Sequence, residues 1–331
     1  MTRHSLPLYE PLITTYNIYG SMTSIISNDT NCWPWMFNNF IQIRYVYDWD
    51  SFFFDNHHLL FENCPWLNHH VIPKDFLERK WQSIHQLILE SIDLGYYIYF
   101  YVDRFYISAS ADYHQRTNWH ETFIYGYDTE TLTYLVADNL ADGKYIKTEC
   151  PFDEIENGYA NITSKNCFFH NIHLFSKKLE DGYNFNVKQV IEQMKNYLDS
   201  KITVDVSFKE KVIFGIQAIQ YAFQKVNQRP LEEFFDRRAF HLFWEHKMLM
   251  LQRLSFLKKH LDLQRCDELL IRYKDVVDSF EQIRNMTLKY NLKKNDNILF
   301  RIERKLKFNL EEEIEIFKEV IGLLEGQEIK S

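Results

Sequence analysis

His120 and Asp138 stand at matching ends of two strand-like runs, Trp119–Asp128 and Thr131–Asn139. The first run is aromatic and β-branched, the second alternates, and Asp128-Thr129-Glu130 between them has turn chemistry. A three-residue loop sets Tyr127 against Thr131 and carries His120 opposite Asp138, about 5 Å apart at Cβ on one face. A two-residue loop sets His120 opposite Asn139 instead. In either register a carboxyl or amide orients an imidazole, which is two-thirds of a nucleophile-His-Asp arrangement. The competing reading is a cross-strand polar pair at the rim of a sheet.

A nucleophile for this pair is expected at a helix N-terminus, where the dipole and free N–H groups favour an anion. Two residues qualify. Ser21 follows Gly20 after the extended run Tyr16–Tyr19 and reads as the opening of a helix. Cys32 precedes Trp33-Pro34-Trp35, with Pro34 suited to a first helical turn. A thiolate is closer to neutral pH than an alkoxide, so Cys32 is the stronger intrinsic nucleophile. Without chemistry, Ser21 is an N-cap hydroxyl and Cys32 a small buried apolar group. Asp103 ends a strongly apolar strand and precedes Arg104; pairing with Arg104, capping a turn and lining the cleft are all consistent with that place. His57-His58 and His69-His70 carry no carboxylate or cysteine at ligand spacing, so no metal is expected, and no other cofactor motif occurs.

The elements that must hold these residues fall into two grammars. Residues 1–180 carry six of the seven prolines and most strand-like runs, among them Gly95–Asp103. Lys74–Asp93 reads as one helix with the stripe Trp81, Ile84, Leu87, Ile88 and Ile92. Helices before a sheet make an α+β domain. Over residues 187–331 helical spacing takes over, as in Leu269, Tyr273, Val276, Phe280 and Ile283, and again in Leu310, Ile314, Phe317, Ile321 and Leu324. Asn309 fits an N-cap for the latter stripe, and the expectation is an all-helical bundle of about five helices.

With 331 residues the chain has room for two domains, and 46% hydrophobic with 25% charged residues is ordinary globular composition. The net charge of −8 argues against nucleic acid as a partner. Neither a signal peptide nor an apolar run of membrane-spanning length is visible, so no membrane partner is expected. Five cysteines without paired CxxC spacing read as reduced thiols of a cytoplasmic protein.

The segment Gly95–Asp103 with Tyr106, then His120 with Phe123-Ile124-Tyr125-Gly126-Tyr127-Asp128, then Val136-Ala137-Asp138, resembles the N-terminal domain of the butirosin biosynthesis protein H family. That family is related to the C39-like, papain-fold cysteine peptidases. The resemblance covers residues 15–145 and implies a papain-like α+β domain over 1–180 ahead of the helical domain. It implies an acyl-enzyme nucleophile early in the first helix, His120 as general base and Asp138 as its orienting carboxylate. The founding member moves an aminoacyl group from a carrier protein to an aminoglycoside amine. The implied function is therefore acyl transfer, or amide or thioester hydrolysis, in natural-product (nonribosomal-peptide-type) metabolism. An acyl or peptidyl carrier protein and a small-molecule or peptide substrate are the implied partners. The family layout places Ser21 where a cysteine is expected, and Cys32 falls eleven residues later. Three outcomes are open: a serine enzyme, a cysteine enzyme using Cys32, or a pseudoenzyme that binds carrier or peptide.

Overall fold

Aromatic and β-branched residues dominate Tyr97–Asp103, Trp119–Asp128 and Thr133–Asn139, and each run is a strand in the computed structural model. The structure describes residues 3–140, 143–178, 182–204, 211–228, 235–261 and 266–328. The chain opens with β1 (Arg3–Ser5), α1 (Asn17–Ile26), α2 (Cys32–Asn39), β2 (Ile43–Val46) and β3 (Ser51–Phe54). Next come α3 (Leu60–Asn63), β4 (Leu67–Ile72), α4 (Lys74–Lys80), α5 (Ile84–Asp93), β5 (Tyr97–Asp103) and β6 (Trp119–Asp128). They are followed by β7 (Thr133–Asn139), β8 (Tyr145–Pro151), α6 (Phe152–Ala160) and β9 (Ile172–Lys177). The remainder is α7 (Val187–Leu198), β10 (Val212–Phe214), α8 (Gly215–Gln228), α9 (Arg237–Leu261), α10 (Cys266–Lys293) and α11 (Asp296–Glu328).

Two compact units result, one of Met1–Cys32 with Leu59–Gly182, the other of Trp33–His58 with Tyr183–Ser331. Residues 33–58, which sequence patterning keeps in the first half, belong to the second unit because β2 finds its ladder partner in β10.

In the first unit an antiparallel sheet runs in the order β4-β9-β5-β6-β7-β8, with β1 also paired to β6. Ile88 and Ile92 of α5 and Ile155 and Tyr159 of α6 share a core with Ile98, Phe100, Val102 and Ile124 of the sheet. The helix expected over Lys74–Asp93 is two helices. Ser83 is extended and its side chain accepts from the Gln86 N–H, so it caps a new helix and breaks the old one. Helix α1 lies against β6 and β7.

The second unit is helical but not all-helical, since β10 joins β2 and β3 in a three-stranded sheet. Asn309 does not begin a helix. It lies inside α11, buried, with its amide donating to the Lys305 carbonyl at 2.6 Å, so the helix continues through it. The interior holds a satisfied ionic cluster: Lys247 donates to Glu313 at 2.8 Å and to the Tyr197 hydroxyl at 2.9 Å, and Tyr273 donates to Glu313 at 2.6 Å. Among the described residues no helix is long and apolar enough to cross a membrane.

Candidate functional site

The β6–β7 hairpin closes further from His120 than a three-residue loop allows. Asp128 pairs with Thr133, and its carboxylate accepts from the Glu130 N–H at 2.9 Å, which makes a four-residue turn of Thr129–Leu132. Leu132 takes a left-handed φ of 56° to complete it. A bulge between Ile124 and Gly126 then shifts the ladder so that Phe123 faces Ala137. Counting one residue on, Thr122 and not His120 is level with Asp138. On its other side His120 is the ladder partner of Val102 in β5.

The imidazole therefore finds a different carboxylate. His120 Nδ1 is 3.2 Å from Glu121 Oε2 and 3.2 Å from the Glu121 carbonyl oxygen. Tyr101, the ladder partner of Glu121, donates its hydroxyl to Glu121 Oε1 at 2.7 Å. Burial pushes the Glu121 carboxyl up, but the neighbouring His120 and the Tyr101 hydroxyl outweigh it and hold the group below its ordinary range. His120 Nε2 makes no hydrogen bond among the described residues, and the side chain is 27% exposed.

Asp138, almost wholly buried, is held by three donors on one oxygen. Its Oδ1 accepts from Asn17 Nδ2 at 2.7 Å, from Arg104 Nη2 at 2.9 Å and from the Asn139 N–H at 2.6 Å. None of these is His120, so the Asp138–His120 contact expected from spacing does not form. The register shift supplies the physical reason. Asn139 ties down chain segments instead, donating to the Thr14 carbonyl at 2.8 Å. Asp103 settles as a turn cap, accepting the Phe105 and Asn118 N–H groups, each at 3.0 Å. Arg104 thus turns to Asp138 and away from Asp103.

Helix α1 begins at Asn17, not at Ser21, which moves Ser21 into its second turn. Ser21 is 1% exposed, and its hydroxyl donates to Asn17 Oδ1 at 2.5 Å. Tyr145 donates to it from 3.4 Å. The hydroxyl does not meet His120. Gly20 gives no room to a substrate either: a Cβ there would lie 2.5 Å from the Tyr145 ring, which fills that space. Cys32 is the first residue of α2 and fully buried, and burial, with Asp29 adding to it, pushes the thiol up to about 12.

The residue at the helix start, facing both the His120–Glu121 segment and Asp138, is Asn17. Its Nδ2 donates to the Glu121 carbonyl at 3.0 Å as well as to Asp138. The arrangement is an open chain, Ser21 to Asn17 to Asp138 to Arg104, joined through the Glu121 carbonyl to a Tyr101–Glu121–His120 relay. The first can fix a helix on a sheet; the second can take up or release a proton at His120 Nε2. Asn17, Arg104, Glu121 and Tyr145 escaped sequence reading because each acquires its place through partners between 20 and 124 residues away. An Asn one helical turn before Ser21 was the only local sign.

Of the paired histidines, His69 Nε2 lies 2.9 Å from His173 Nδ1 in a stacked pair between β4 and β9. Among the described residues no three or more His, Cys, Asp or Glu side chains gather as a metal-binding group. No family model matches the chain, and no curated protein matches it.

Proposed function

We propose that the first unit is a non-catalytic relative of acyl-transfer enzymes, and that it acts by binding a carrier protein or a peptide-like partner in the cytoplasm. The observation that carries this reading is Asn17. A carboxamide, which cannot form an acyl-enzyme, occupies the helix start beside His120 and Asp138, donating to one Asp138 oxygen and accepting the Ser21 hydroxyl. The buried Cys32 thiol supports the same conclusion. The carrier or peptide partner follows from the resemblance of Gly95–Asp138 to the butirosin biosynthesis protein H family. Five free cysteines are consistent with a reducing compartment.

Incubation with thiol-directed and serine-directed acyl probes, repeated on Ser21→Ala and Cys32→Ala, tests it. Labelling that vanishes in either variant would overturn the non-catalytic reading. Absence of such labelling, together with retention of an acyl-loaded carrier protein on the immobilised chain, is the expected result.

A second reading is favoured by one observation, the unpartnered Nε2 of His120 on an imidazole held by Glu121. In that reading the acceptor amine attacks the carrier thioester directly, the amide C–N bond forms as the C–S bond breaks, and His120 takes the amine proton and returns it to the departing carrier thiolate, with no covalent enzyme intermediate. Turnover without labelling, lost in His120→Ala, would select it.

A further inference from the structure

On α11, Phe300, Arg304 and Phe308 recur every fourth residue and so share one face, with Arg301 and Lys307 beside them. The opposite face, carrying Ile302, Leu306 and Leu310, is buried. Phe300 and Phe308 are 65% and 66% exposed, and Leu292, two residues before the Lys294-Asn295 link from α10, is 86% exposed. Single exposed leucines are common on soluble proteins, but two phenylalanines aligned on the solvent face of one helix need a partner.

The charge around them is equally unlike the rest of the chain. Between Leu288 and Phe308 there are seven Lys and Arg against two acidic residues, in a protein of net charge −8. Elsewhere on these helices several cations are paired: Lys195 with Glu325, Arg272 with Glu312 and Glu319, and Lys318 with Glu315. Among the described residues Arg301, Arg304, Lys305 and Lys307 have no carboxylate partner. Beyond Phe308 the same face turns acidic through Glu311, Glu315 and Glu319.

We propose that the α10–α11 turn and the first four turns of α11 form a docking surface for an anionic lipid membrane. Headgroup phosphates neutralise the unpaired guanidinium and ammonium groups, while the protruding Phe300, Phe308 and Leu292 enter the apolar boundary beneath. The two rings stand about 12 Å apart along the helix, eight residues at 1.5 Å each, so both reach one flat surface. A convex face with projecting apolar groups needs no shape-matched cleft, which favours lipid over a folded acidic partner. The net charge of −8 on the whole chain disfavours nucleic acid. The acidic continuation of the face limits the contact to this end of the helix.

Sedimentation of the full chain with vesicles of phosphatidylcholine alone, and of phosphatidylcholine with phosphatidylglycerol, tests the proposal. Binding is expected only to the anionic vesicles. It falls at least about tenfold in Arg301→Gln/Arg304→Gln/Lys307→Gln, and about tenfold in Phe300→Ser/Phe308→Ser. Equal binding to neutral vesicles, or no binding to either, overturns it. Loss in the cation variant with full binding in the phenylalanine variant also overturns it, because the face would then be a general polyanion site. Retention on polyglutamate or RNA without vesicle binding reassigns the face to an acidic protein or a nucleic acid.

Discussion

Arg104 and Asp138 are both removed from water, so each charge depends on the other. Arg104→Met leaves a buried carboxylate with only Asn17 and the Asn139 N–H, and should cost about 3–5 kcal/mol in urea denaturation. The double variant Arg104→Met/Asp138→Leu should recover part of that loss, since no charge is then stranded. A cost below about 1 kcal/mol for the single change would show that Asp138 does not depend on Arg104 for its charge compensation. The thiols follow the same logic of burial. Cys32, Cys64 and Cys150 are each pushed up to about 12 by burial, Cys266 is also buried, and Cys167 is exposed. A chromogenic disulfide reagent should titrate one thiol in the native protein and five in denaturant, and Cys167→Ser should abolish the native reaction. Rapid reaction of a second native thiol that Cys32→Ser removes would contradict the burial of Cys32.

At the scale of elements, α1 is shaped by what it packs on. A glycine inside a helix is replaced by alanine with a gain of up to about 1 kcal/mol where space allows. At Gly20 the new Cβ meets the Tyr145 ring, so Gly20→Ala should instead destabilise by about 1–3 kcal/mol. Adding Tyr145→Leu should restore the propensity gain; a stabilised single variant would mean that the ring moves freely. The hairpin shows how far local patterning reaches. The extents of Trp119–Asp128 and Thr133–Asn139 were nearly legible from alternation, but a four-residue turn and a one-residue bulge changed which side chains face each other. Likewise the stripe Ile84, Leu87, Ile88 and Ile92 was legible, and the break before it depended on whether Ser83 turned its hydroxyl to the Gln86 N–H.

For the whole molecule, burial of histidine sets the response to acid. His57, His69, His173 and His246 are all held below the ordinary imidazole value, chiefly by burial, with His173 at about 4. The unfolded chain therefore binds more protons than the native one below about pH 6.5, and stability falls as pH drops from about 6.5 towards 4. Asp55 works the other way. Its carboxyl is raised to about 6 by burial, so its contribution is stabilising when protonated and is lost as pH rises from about 4 to 6. Four histidines against one carboxyl give a net decline on acidification, read as a falling melting temperature between pH 7 and 4. Asp55→Asn should steepen that decline, and a flat profile would argue that the imidazoles are solvated.

What the sequence determined by itself was what short-range physics controls. Period 2 and β-branched residues marked the strands, period 3.6 marked the helices, and composition separated a strand-rich half from a helical one. His120 and Asp138 were legible as polar residues at strand ends. Their partners were a tertiary decision. A four-residue turn, offset by only one residue at the bulge, moved His120 out of register with Asp138, leaving its own neighbour Glu121 as the carboxylate within reach, while a helix docking from far away in the chain delivered Asn17 to Asp138. The same holds for the unit boundary, where β2 paired with β10 across a separation of well over a hundred residues. Hydrogen-bond partners and ladder register depend on the sum of many packing choices, and no single local pattern encodes that sum.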